Sequence, residues 1–137
     1  MNELTITAGL TLYLLPCAIQ DWRDNRVSNW LTIPAFVVAW IIVIAFNNLA
    51  LAALVCFGCY AAWSCGWMGA ADGKLATLLA ALSPPTLFIS TILLALTFFY
   101  LRARGQTDLH VPAVVWFCVS SGLYTLFVLA QTFVQPL

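Results

Sequence analysis

Long uncharged apolar runs, broken by a few short polar stretches, set the pattern of this chain. Leu4 to Gln20 is apolar and, at about 17 residues, just long enough to span a bilayer. A polar break follows, Asp21-Trp22-Arg23-Asp24-Asn25-Arg26, and Val27-Ser28-Asn29 leads into the next run. From Val27 to Ala71 there is no charge, which is too long for one helix and enough for two of about 20 residues. Asn47-Asn48 is the best turn signal inside it, so a second span is predicted over Trp30–Phe46 and a third over Leu49–Cys65. Leu75 to Leu101 is again free of charge, and Pro84-Pro85 divides it, because two missing N–H donors and the restriction before each proline favour a turn. This gives a short fourth helix over Met68–Ser83 and a fifth over Thr86–Leu101. Arg102 to His110 reads as a polar loop, and Val111–Phe133 as the sixth span.

Pro16 is expected to bend the first span, its freed carbonyl being met by neighbouring helices. That span reads as retained: it lacks the basic start of a secretory signal, and Glu3 stands where positive charge is expected. With six spans, the loops around Arg23 and Arg26, Lys74, and Arg102 and Arg104 share one side, which the positive-inside rule makes cytoplasmic. Both termini then lie outside. A single span over Leu75–Leu101 would put Arg102 and Arg104 on the opposite face, so the six-span division is preferred.

Composition agrees: of 137 residues 64% are hydrophobic and 7% charged, which places the chain in the membrane class as one domain, residues 1–137. Net charge is zero, and the basic residues are too few for nucleic-acid binding. Of five cysteines, Cys56 and Cys59 form a CxxC inside an uncharged run, with neither His nor acid nearby. They read with Cys17, Cys65 and Cys118 as small apolar thiols and not as a zinc or redox site.

The chemistry concentrates in Met68-Gly69-Ala70-Ala71-Asp72-Gly73-Lys74. Ionisable residues this close to a membrane core are costly, so the default reading is functional. Asp21 ends span one and Asp72 begins span four, both at the cytoplasmic face. Two carboxylates in a low-dielectric region share one proton, the ionised member acting as base toward water and the protonated one as donor to a carbonyl. That chemistry hydrolyses an amide with no metal and no cofactor. Gly69 and Gly73 form a GxxxG spacing that Ala76 and Ala80 continue, a small face on which span one is expected to dock. Lys74 does not share the Asp72 face and reads first as a snorkelling lysine, second as electrostatic support. Asp24 and Asp108 are rival acids, and His110 reads as a surface residue.

The stretch Asp21-Trp22-Arg23-Asp24-Asn25-Arg26-Val27-Ser28-Asn29-Trp30-Leu31-Thr32 resembles the first motif of type IV prepilin peptidases, which ends in Arg-Ile-Pro-Asn-x-Leu-Thr; Val27 and Ser28 replace Ile and Pro. Gly69 to Lys74 resembles the second, Gly-x-Gly-Asp-x-Lys, with Ala71 in place of a glycine, and the Pro112 region resembles the start of the family's last helix. The resemblance implies a GxGD-type intramembrane aspartyl protease of bacterial inner membranes. It would cut the basic leader from prepilin-like precursors at the cytoplasmic face, serving a type IV pilus or protein secretion. Asp21 and Asp72 take the catalytic positions; Gly69, Gly73, Lys74, Arg26 and Asn29 are motif support. Larger members carry a cytosolic insert with two CxxC pairs and methylate the product; this chain resembles the minimal form. Two rivals remain open at this point: a small proton-coupled transporter, and a non-catalytic membrane subunit in which Asp21 and Asp72 pair with Arg23, Arg26 or Lys74.

Overall fold

The computed structural model describes residues 3–46, 49–105 and 111–134, and the regular elements in them are all α-helices. They are α1 (Glu3–Asp24), α2 (Asn29–Phe46), α3 (Leu49–Ser64), α4 (Ala70–Leu82), α5 (Pro84–Ala103) and α6 (Ala113–Val134). The turn signal at Asn47-Asn48 and the loop residues Asp108 and His110 lie outside the described residues. The helices α1, α5 and α6 are long and apolar enough to cross a membrane; α2 and α3 are apolar but shorter.

Two boundaries differ from the pattern-based expectation. α1 continues through Pro16 and runs past Gln20 to Asp24, so Asp21 belongs to a helical turn and not to a loop. Asn25 then takes φ 50° and its N–H reaches the Asp21 carbonyl at 2.9 Å, a left-handed residue closing a helix end. At the other boundary, Pro84-Pro85 opens α5 instead of forming a separate turn. A first helical turn has N–H groups with no partner, so proline loses nothing there. Ser83 alone joins α4 to α5, buried, its N–H on the Leu79 carbonyl at 2.8 Å and its hydroxyl 2.7 Å from that of Thr86.

The helix α4 lies at the centre. Its residues from Leu75 to Ala80 are buried without a break, as expected of a helix surrounded by other helices. It packs mainly against α2 and α3 and touches α5 and α6, while α1 packs chiefly against α6. One core holds Leu10, Leu14 and Cys17 of α1, Leu75 and Leu79 of α4, and Val114 and Phe117 of α6. The outer surface is apolar: Ile44, Leu54, Phe57, Phe88, Phe99 and Leu126 are all exposed. So much contiguous apolar surface is unsuited to water and suited to lipid.

Candidate active site

A polar seam sets the position of Asp21. Thr11 of α1 lies 2.8 Å from the hydroxyl of Ser121 and 3.2 Å from that of Thr125, both on α6. Tyr124 donates to Glu3 at 2.7 Å nearer the other end. These pairs run α1 antiparallel to α6, and each contributes of order 0.6 kcal/mol in a bilayer. The seam brings the last turn of α1 against the first turn of α6. There Asp21, only 5% exposed, accepts the N–H of Val114 at 3.2 Å on Oδ2. The opening N–H groups of a helix have no partner of their own and carry partial positive charge. A carboxylate from another helix satisfies one of them here.

Asp72 is held by its own helix. Gly69 is the N-cap of α4, and Asp72, three residues on, accepts the Gly69 N–H at 3.3 Å, the return half of a capping box. A Cβ at Gly69 would stand 3.0 Å from Oδ2 of Asp72, so any larger residue there would push that carboxylate aside by a few tenths of an ångström. Gly73 has a different duty: a Cβ there would lie 3.1 Å from that of Cys59 on α3. The small face expected to receive span one thus receives α3 at Gly73, and α1 is carried by α6 instead.

Lys74 donates to Oδ1 of Asn29 at 2.9 Å, tying the start of α4 to the start of α2. Its ammonium is therefore engaged with a motif residue, beyond the simple snorkelling expected of it. Gln20 accepts the Ser28 N–H at 2.8 Å and folds the intervening loop back onto α1. Tyr13 also donates to the Leu31 carbonyl. Through these contacts the end of α1 and the starts of α2, α4 and α6 meet at one end of the bundle, bringing Asp21 and Asp72 to the same end. Arg26 is exposed, and Arg23 lies 3.8 Å from Asp24, an exposed rival acid.

Beside the start of α4, a cleft runs between α2 and α3, lined by Phe36, Tyr60, Trp63, Cys56, Cys59 and Gly73. Cys17 is buried, Cys56, Cys59 and Cys118 are half-buried, and Cys65 is exposed; all five are free thiols. Sequence reasoning missed Val114 and Gln20. Val114 contributes only its backbone N–H, for which the available signal is Pro112 marking where α6 begins. Gln20 was legible as a polar residue placed to reach past the helix end.

Six helices among the described residues, with an apolar exterior and the aspartates Asp21 and Asp72 at one end, mark a multi-pass helical membrane protein. The model of the type IV leader peptidase family matches residues 8–103, which include Asp21, Asn29 and Gly69 to Lys74, so the chain belongs to that family. It is accordingly a peptidase of the leader-peptidase kind. No curated protein and no solved structure matches it.

Proposed function

We propose that the chain is an intramembrane aspartic endopeptidase that removes the basic leader from prepilin-like precursors. Asp21 and Asp72 act as a pair. One, ionised, takes a proton from a water as its oxygen attacks the scissile carbonyl. The other, protonated, donates to the developing oxyanion; collapse then expels the amine, which leaves with a proton. The observation that carries this reading is the placement of both motif aspartates at the same end of the bundle. Each is fixed there by a backbone N–H at a helix N-terminus. Such anchoring holds reacting groups in place before substrate arrives, where small misplacements are expensive.

The six helices cross the inner membrane of a bacterium, α4 as a short central one, with both termini outside and the site at the cytoplasmic face. The precursor's apolar helix lies in the bilayer and its leader at that face. The test is cleavage of a pilin-like precursor by purified protein, comparing Asp21→Ala, Asp72→Ala and Asp24→Ala. Loss in the first two with activity kept in the third is expected; full activity in either of the first two would overturn the assignment.

A further inference from the structure

A second feature lies on the outer side of α1. Leu15, Ala18, Ile19 and Trp22 form a stripe at helical spacing, and with Val115 of α6 and Arg23 they line an open groove of about 640 Å³. Leu15, Ile19 and Trp22 are exposed along it. From Leu15 to Trp22 is about 10 Å of helix. The groove is apolar along this length and charged at one end, where the Arg23 side chain is 84% exposed. Arg23 sits 3.8 Å from Asp24, which is also largely exposed; such a pair contributes little and is readily exchanged.

We propose that this groove binds one anionic phospholipid. Its phosphate sits on the Arg23 guanidinium, Trp22 lies at the level of the ester groups, and an acyl chain follows Ile19, Ala18 and Leu15. Three observations select this occupant. The single charged end matches an amphiphile and not a soluble ligand. The exposed stretch from Trp22 to Arg26 carries Arg23 and Arg26 against Asp24, a net positive charge that prefers an anionic headgroup over a zwitterionic one. A bed of one helical stripe plus one α6 residue also suits an acyl chain better than a helix about 10 Å across. The lipid would lie along the same turn of α1 as Asp21, since Ala18 and Trp22 bracket that residue in sequence.

Native mass spectrometry of the purified full chain would test this, with phosphatidylglycerol and phosphatidylcholine of identical acyl chains as probes. About five-fold preference for phosphatidylglycerol is expected, falling towards parity in Arg23→Gln. Leu15→Trp, which fills the groove, should reduce retention of both lipids. Equal retention by the wild type, or an undiminished preference in Arg23→Gln, overturns the proposal. So does displacement of the lipid by soluble glycerol phosphate, or by a pilin-like apolar helix peptide. None of these readouts depends on cleavage.

Discussion

The carboxylate of Asp21, in the last turn of α1, accepts the backbone N–H of Val114, in the first turn of α6, at 3.2 Å. Asp21 therefore has a structural duty that can be separated from any chemical one. Asn at this position keeps an acceptor for Val114 but has no carboxylate, whereas Ala leaves a buried donor unmet, at about 1–3 kcal/mol. Both Asp21→Asn and Asp21→Ala should lose cleavage. Thermal unfolding in detergent should show Asp21→Ala the less stable of the two; equal midpoints would remove the capping role.

Gly69 and Asp72 give a second prediction. Gly69→Ala forces the Asp72 carboxylate away from a Cβ that would stand 3.0 Å from Oδ2. Cleavage should fall by about ten-fold or more, while helix content by circular dichroism stays at the wild-type level. Ala71 stands inside the first turn of α4, so Ala71→Gly, which restores the family's residue, should change activity little and lower stability by up to about 1 kcal/mol.

The approach of α3 to α4 at Gly73 predicts a coupling. Gly73→Ala places two Cβ atoms 3.1 Å apart, overpacking that costs about 1–3 kcal/mol. Adding Cys59→Gly removes the opposing Cβ, so the double variant should lose less stability than the sum of the two single variants, Cys59→Gly itself costing about 1 kcal/mol inside α3. Strictly additive losses would show that α3 yields elsewhere.

Lys74 and Asn29 form a polar link between two helix starts. A double-mutant cycle with Lys74→Met and Asn29→Leu should give a coupling of about 0.5–1.5 kcal/mol in stability. Strict additivity would mean that the contact contributes nothing.

Much of this architecture is legible in the sequence. Charge-free runs delimit six helices because a chain in lipid must satisfy its backbone within each helix. The flanking polar residues place Asp21 and Asp72 at a common end. What hydropathy passes over is which helix packs on which. The GxxxG spacing at Gly69 and Gly73 announces a close approach but does not name the partner, and Cys59 takes the place expected for α1. The true partner of α1 is written in hydroxyl residues, Thr11 against Ser121 and Thr125, which are nearly neutral on a hydropathy scale. The Asp21 cap on Val114 is invisible for a different reason: a backbone donor has no letter.

The joint at Ser83 has a mechanical consequence. α4 and α5 share that single residue, and its buried hydroxyl pair with Thr86 fixes the elbow at the end remote from the aspartates. Asp72 stands about 16 Å away along the helix. The other end of α4 is held as well, by Lys74 on Asn29 and by Gly73 against Cys59, so a tilt of about ten degrees about Ser83, which would carry Asp72 by about 3 Å, has to break those contacts first, and α4 acts as a strut clamped at both ends.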